Sequence, residues 1–422
     1  MKPQRDHGRV LYLTQWFTPE PVAIPRWIAD ALRRRHWDVE VITAHPNYPT
    51  GRVQDGYDPR TYMRELISGY QISRAPVYPS RDQSPARRML TYISWAISCI
   101  PVTLWRCARA DVVLVYSSPA TAALPAMVAR VILRKRYVLF VQDIWPDSVT
   151  SSGFIGSPLL AKWVANALSR FVGLSYRLSD AVAVISPSAV LELEMRGVPA
   201  GKLVYVPNWA DETVMRPRAK KGTLVQELGL SDKDFLLTYA GTLGPSQNLA
   251  TAISAVSLAP GNVHLALIGD GVARTALRAQ AEDLAKDRIH FIDPVSLHEA
   301  SELMAEADAQ LISLADDPLF HMTMPSKVQS VLASGSVVVA AVSGDAAEVL
   351  ADAGAWLAAP GDVQQLSDAI SEVAALRDSD LAAARARSRA YYEENLSEVV
   401  GAARLSAVLE SVATNREIEY CG

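Results

Sequence analysis

The stretch His321-Met322-Thr323-Met324-Pro325-Ser326-Lys327-Val328-Gln329-Ser330-Val331-Leu332-Ala333-Ser334-Gly335 decides the fold. A lysine stands ahead of an apolar helical turn, and the small residues Ala333, Ser334 and Gly335 close that helix. A valine run, Val337 to Val339, then opens a buried strand. This is the helix-to-strand joint of an α/β domain, the kind of place where such sheets bind ligands. A helix N-terminus there presents unpaired N–H groups and the positive end of a dipole, and Lys327 adds a full charge. The combination fits a diphosphate. The plainer reading is an ordinary capped helix with a surface lysine.

Working outward, the same alternation fills the chain. Val10 to Trp16, Val39 to Thr43, Val112 to Tyr116, Tyr137 to Val141 and Ala181 to Ile185 read as strands. Arg26 to Arg35, Leu124 to Leu133 and Pro158 to Leu178 read as helices between them. A polar connector begins at Pro207-Asn208-Trp209-Ala210-Asp211 and runs to Gly222. The alternation then restarts with strands at Phe235 to Ala240, Val263 to Ile268, Ile289 to Ile292, Ala309 to Leu314 and Val337 to Ala341. Continuous β-branched runs between helices predict α/β architecture with doubly wound parallel sheets. The expected division is 1–208, 209–385 and a C-terminal helical segment, 386–422.

Composition narrows the class. The chain has 422 residues, half of them hydrophobic, and a formal net charge of -4. Nothing there favours nucleic acid as a partner. The cysteines Cys99, Cys107 and Cys421 are odd in number and lack metal-ligand spacing, which points to a reducing compartment without structural zinc. No signal-peptide core precedes the first strand, so a cytoplasmic location is expected.

Met89 to Trp105 contains no charged residue, and arginines flank it at 87, 88, 106 and 109. As a helix it would be only about 25 Å long, and Pro101 interrupts it. That is short for a membrane span. Two readings stand: a core helix, or a helix lying on an anionic membrane surface with Trp95 and Trp105 at the interface.

In the second half, three glycine-containing joints follow one another. Gly241-Thr242-Leu243-Gly244 precedes Gln247-Asn248-Leu249, Gly269-Asp270-Gly271 comes next, and Ala333-Ser334-Gly335 closes the opening stretch. With Ser343-Gly344-Asp345-Ala346-Ala347-Glu348, this frame resembles glycosyltransferase family 4, in the branch that assembles O-antigens, capsules and exopolysaccharides and includes fucosaminyl transferases. The resemblance implies the GT-B fold, two Rossmann-like domains facing across a cleft, with the last helix crossing back to the first domain. It implies a retaining transferase that takes a nucleotide diphosphate sugar, with a UDP-sugar expected, as donor. The acceptor would be a polyprenyl-diphosphate-linked glycan, met on the cytoplasmic face of the inner membrane. No resident cofactor and no metal are implied.

The departures from the family frame are specific. Thr242 and Gln247 stand where an arginine and a lysine are usual, and Met322 and Ser330 occupy the positions of a glutamate pair. Lys327 then becomes the cation expected to neutralise the leaving diphosphate, with Ser326, Gln329 or Ser330 toward the nucleoside and Glu348 on the following turn. In the first half, Asp143 of Phe140-Val141-Gln142-Asp143-Ile144-Trp145-Pro146-Asp147-Ser148 falls close to where the family places a histidine facing the reacting sugar. A carboxylate at a strand end suits acid–base work on an acceptor hydroxyl; as a purely structural group it would cap a helix. Glu20, Arg26 and His45, in loops after the first two strands, are candidates for the acceptor, and His321 for the transferred sugar. Each also reads as an ordinary loop residue. Two alternatives to the transferase remain, a UDP-sugar 2-epimerase on the same fold and a non-catalytic transferase-like subunit.

Overall fold

The computed structural model describes residues 8–81, 84–145 and 158–416. Residues 1–7, Pro146, Asp147, Ser148 and Cys421, all used in reading the sequence, lie outside the described residues. The chain forms two compact units: Met1–Val206 together with Gly401–Gly422, and Pro207–Val400.

The first unit is built on an eight-stranded sheet in the order β3-β4-β2-β1-β5-β6-β7-β8. Its strands are β1 (Arg9–Leu13), β2 (Asp38–Ala44), β3 (Met63–Ile67), β4 (Tyr70–Ala75), β5 (Val112–Ser117), β6 (Tyr137–Val141), β7 (Ala181–Val184) and β8 (Leu203–Tyr205). All neighbours pair in parallel except β3 with β4. In the centre, Val10 stands beside Val39 on one side and Val112 on the other. Every residue of β5 and β6 is buried, as expected of strands covered on both faces. β3 escapes a reading based on apolar runs because it is an edge strand. Its sequence, Met63-Arg64-Glu65-Leu66-Ile67, alternates half-buried with exposed positions. The order of strands reverses between β1 and β5, so a crevice opens beyond their carboxyl ends.

The helix Glu398–Thr414 is tied to this unit by side chains. Trp37 Nε1 donates to Ser406 Oγ at 2.9 Å, and Arg136 donates to the carbonyl of Val412 at 3.1 Å.

The charge-free segment lies in one helix, Pro85–Cys107. Its inner face buries Trp95, Cys99, Thr103 and Arg106, the last paired with Glu40 at 3.0 Å. Its outer face carries Leu90, Ile93, Ile97, Pro101 and Trp105, at three- and four-residue spacing, all exposed. The core reading is therefore right for Trp95, which is fully buried, while Trp105 is 61% exposed. Among the described residues no helix is long and apolar enough to cross a membrane.

The second unit has a six-stranded, all-parallel sheet in the order β11-β10-β9-β12-β13-β14. These are β9 (Phe235–Ala240), β10 (Val263–Ile268), β11 (Ile289–Ile292), β12 (Ala309–Ser313), β13 (Val338–Ala341) and β14 (Trp356–Ala358). One core, centred on Leu237, Leu265, Leu311 and Val339, packs beneath the helices Leu249–Leu258 and Val363–Ala374. A second core on the opposite face holds Val328, Leu332, Val338 and Tyr392. The Tyr392 hydroxyl donates to Glu212 at 2.9 Å, which fixes the helix Asp378–Asn395 within this unit. Here the strand order reverses between β9 and β12. Both units are thus the doubly wound α/β class read from the sequence.

A buried cation organises the loops of the first sheet. Arg74 is fully buried, pairs with Glu65, and donates to the carbonyls of Ala44 and Thr18, each at 2.7 Å. Replacing it with methionine strands a carboxylate and two carbonyls. We expect Arg74→Met to lower unfolding free energy by about 3 kcal/mol, the scale for breaking a buried pair, measured by urea titration; a loss under 1 kcal/mol, the scale of a solvated surface pair, would refute this role.

Candidate functional site

In the second unit a pocket of about 750 Å³ opens at the switch point beyond β9, β10 and β12. Its floor comes from strand ends. Tyr239, Ala240 and Gly241 finish β9, Ile268, Gly269 and Asp270 finish β10, and Ile312 to Leu314 finish β12. Its wall is the N-terminus of the helix Ser326–Ala333, which no side chain caps. Pro294, Val295 and Leu297 form an apolar side.

The two glycine turns meet backbone to backbone. Gly241 N donates to Ile268 O at 2.9 Å, and Leu243 N donates to Asp270 O at 2.8 Å. A Cβ on Gly269 would sit 2.1 Å from Gly241 O, and its φ of +136° excludes ordinary side chains as well. The glycine therefore lets two loops close on each other and leaves their upper edge as pocket floor.

Lys327 is the chemical centre of the pocket. Its Nζ is buried, has no hydrogen-bond partner, and lies 3.0 Å from the centroid of the Tyr239 ring. Burial holds its pKa well below the usual lysine range. The Tyr239 ring is itself fixed, because its hydroxyl donates to Thr242 O at 2.8 Å. A buried cation facing only a ring quadrupole is poorly compensated. Ser313 Oγ, also buried and without a partner, lines the same pocket. An anion placed between Nζ and the helix N-terminus would compensate both.

Of the residues read from the sequence, Gly241, Thr242, Gln247, Gly269, Ser326, Lys327 and Ser330 line the pocket. Others do not. Gln247 spends its Oε1 accepting from Gly244 N at 3.2 Å. Gly271 stands behind the loop, where a Cβ would meet Leu243 O at 2.3 Å. Gln329 is buried, with its amide nitrogen turned back to Pro325 O at 2.8 Å. Ser330 Oγ donates to Ser326 O at 3.1 Å. Glu348 is exposed on the helix Asp345–Asp352 and is not part of the lining. His321 is exposed, 3.4 Å from Asp316, and its backbone fills the space beside Gly344. Tyr239, Gln310 and Ser313 were not singled out from the sequence. They read as strand residues, and only pairing of β9 with β12 brings them to one end. Thr238 donating to Gln310 at 2.8 Å marks that pairing.

In the first unit, Asp143 follows β6 and remains exposed, with Ser118 donating to its Oδ2 at 3.2 Å. Partial desolvation of its carboxylate raises its pKa, and the Ser118 hydrogen bond opposes the rise. The other candidates there are engaged internally. Glu20 accepts from the backbone N–H groups of Phe17, Asn47 and Tyr48 at 3.2, 2.8 and 2.8 Å, and its burial lifts its pKa to about 7. Arg26 pairs with Asp30 at 2.7 Å and lies over the Tyr70 ring. His45 is buried with Nε2 2.8 Å from Thr61 O.

Two family models match the chain: a glycosyl transferase 4-like domain over residues 22–209 and glycosyl transferases group 1 over residues 234–375. The chain belongs to glycosyltransferase family 4. It is 25% identical to WcaI of Escherichia coli (strain K12), named for glycosyl transfer in colanic acid biosynthesis, over 76% of this chain and 79% of that one. It is 23% identical to WbjE of Pseudomonas aeruginosa, named as a glycosyltransferase, over 74% of this chain and 78% of that one. Among solved structures, Anabaena HepE in complex with UDP-glucose aligns with a TM-score of 0.68 at 18% identity, covering 96% of this chain and 100% of that one. WaaG, a glycosyltransferase involved in lipopolysaccharide biosynthesis, aligns with a TM-score of 0.61 at 15% identity over 95% and 99%. The two-domain GT-B fold of these transferases is therefore the fold of this chain. Among the described residues no group of three His, Cys, Asp or Glu is placed to hold a metal ion.

Two outcomes follow, one from the buried Lys327 Nζ and one from the close approach at Gly269. An unfolded lysine keeps its proton to about pH 10.4, while burial makes Lys327 release it earlier. Between those two pKa values the unfolded chain binds more protons, so stability rises with pH. Lys327→Met is expected to be more stable than the parent at pH 7, with the gap narrowing toward pH 10, in urea titrations at both pH values. A less stable methionine variant would show that the ammonium is satisfied. Gly269→Ala is expected to destabilise by at least about 1 kcal/mol, the scale of backbone strain; an unchanged unfolding midpoint would count against the close approach of the two loops.

Proposed function

We propose that this glycosyltransferase moves a sugar with retention of configuration from a UDP-sugar to a lipid-linked glycan in cell-surface polysaccharide synthesis. The carrying observation is Lys327, a buried ammonium without a hydrogen-bond partner in a pocket walled by an uncapped helix N-terminus. Both features favour a diphosphate, and the apolar wall at Val295 and Leu297 has room for a nucleoside. The UDP-glucose complex of HepE and the polysaccharide naming of WcaI support the choice of donor and pathway class.

In this reading Lys327 stabilises charge that grows on the diphosphate as the glycosidic bond breaks. The departing diphosphate accepts the proton of the acceptor hydroxyl as the new bond forms on the same face. Asp143 orients that hydroxyl, with Ser118 holding its carboxylate. The exposed apolar stripe of the helix Pro85–Cys107 rests on an anionic membrane surface. No acidic residue occurs from 84 to 110, and the exposed arginines 87, 88 and 109 flank the stripe.

The direct test is transfer from radiolabelled UDP-sugars to a prenyl-diphosphate-linked glycan, with the product anomer read by NMR. Inverted configuration refutes retention, and epimerised free sugar formed without acceptor selects the 2-epimerase. UDP binding without turnover on any acceptor selects the non-catalytic subunit. A neighbouring diphosphate raises the Lys327 pKa that burial depresses, so UDP binding should take up protons in the pH range between the free and bound pKa values. Calorimetry in buffers of different ionisation enthalpy measures it, and affinity should fall as pH rises. Asp143→Asn should cut turnover about 10²–10⁴-fold with UDP affinity kept; full activity removes Asp143 from the reaction. Ile97→Glu with Trp105→Glu should abolish binding to anionic liposomes in a folded protein, and retained binding would refute the membrane face.

A further inference from the structure

The first unit contains a second pocket, about 290 Å³, beyond the carboxyl ends of β1 and β2. Its base is Gln15, which is fully buried. Neither the amide nitrogen nor the amide oxygen of that side chain has a hydrogen-bond partner. An orphaned buried amide is costly unless something supplies both a donor and an acceptor. The backbone of Gln15 is not the cause, since its carbonyl accepts from Ala44 N and from Thr43 Oγ1 at 3.2 and 3.1 Å. The side chain is held by the sheet and aimed into a cavity.

The walls are aromatic. The Trp16 ring stands 5.4 Å from that of Tyr48 and 6.0 Å from that of Tyr92. Arg88 and Thr91 complete the side contributed by the helix Pro85–Cys107. Aromatic faces, one two-way hydrogen-bonding amide and a cation at the side are the parts of a site for a sugar ring. The apolar C–H face of a pyranose stacks on the rings, and two vicinal hydroxyls give and take one hydrogen bond each with the amide. The volume matches one such ring rather than a nucleotide, whose proposed pocket in the other unit is about 750 Å³.

We propose that Gln15, Trp16, Tyr48 and Tyr92 form a subsite for one pyranose residue of the acceptor glycan, with Arg88 beside the phosphate that links it to the lipid. This rests on the transferase reading above and replaces Glu20, Arg26 and His45, which are engaged internally, as the acceptor contacts. Arg88 and Tyr92 lie on the first turns of the helix whose outer stripe is apolar, so a glycan held here sits beside the surface assigned to the membrane.

The test uses the full chain and three probes: farnesyl-diphosphate-linked N-acetylglucosamine, farnesyl diphosphate alone, and UDP. Calorimetry should show the glycosylated probe binding more tightly than farnesyl diphosphate. Gln15→Met, nearly isosteric, should abolish that difference, weakening the glycosylated probe by about tenfold or more. UDP affinity should be unchanged, and the unfolding midpoint should stay or rise, because the native amide makes no protein hydrogen bond to lose. A structural glutamine would give the opposite, a lower midpoint. Tyr92→Leu should weaken the glycosylated probe as well. Equal binding of the two farnesyl probes by the parent chain, or unchanged sugar selectivity in Gln15→Met, overturns the subsite. Failure of the parent chain to bind UDP counts against the transferase reading instead.

Discussion

An ammonium group buried against a tyrosine ring, with no anion near it, sets the character of the second unit. Lys327 Nζ touches the Tyr239 face and nothing that accepts a hydrogen bond. Such a group is unfavourable in the free protein, and the surrounding parts explain how it is tolerated. The β9–β12 pairing is fixed by Thr238 and Gln310, the Tyr239 hydroxyl is tied to Thr242 O, and the glycine turns above are locked backbone to backbone. Rigidity of this kind keeps the lysine from escaping to water, and preorganised charge in a dry pocket is worth more to a developing anion than charge in solvent.

The first unit handles its buried polar groups differently. Glu20, His45 and Arg74 are all buried and tied to loop backbone: Glu20 by three N–H groups, His45 at Nε2 alone by Thr61 O, with Nδ1 left without a partner, and Arg74 by two carbonyls and Glu65. These groups hold the loops after β1 and β2 in place. Gln15 is the contrast. It shares their burial and the same loops, yet its amide has no protein partner. Accounting for every buried donor and acceptor separates residues that build a wall from a residue left for something else.

The helix Pro85–Cys107 shows how one apolar segment serves two environments. Its sequence offers no charge between Met89 and Trp105, so periodicity of polar residues gives no phase. Packing supplies the phase. Trp95, Cys99 and Thr103 turn to the sheet, and Leu90, Ile93, Ile97 and Trp105 turn away. A helix of 23 residues has room for a buried face and an exposed apolar face together.

What the sequence determined by itself was the fold class, the family, and Lys327 as the charge at a helix-to-strand joint. Those rest on local signals: β-branched runs, glycine turns and the spacing of one motif within a few residues. β3, β4, β8 and β14 were not legible: β3 because an edge strand alternates with charge, β4 because Gln71, Ser73 and Arg74 break its apolar run, and β8 and β14 because each is only three residues long. Tertiary structure alone decided which polar residues face a cavity. Glu20 and Gln15 are both polar residues that follow β1, and nothing local tells which of them will face a cavity. One meets backbone N–H groups from a loop 27 residues away, and the other meets none. Hydrogen-bond satisfaction is a property of which strands lie side by side, and no local pattern of side chains encodes it.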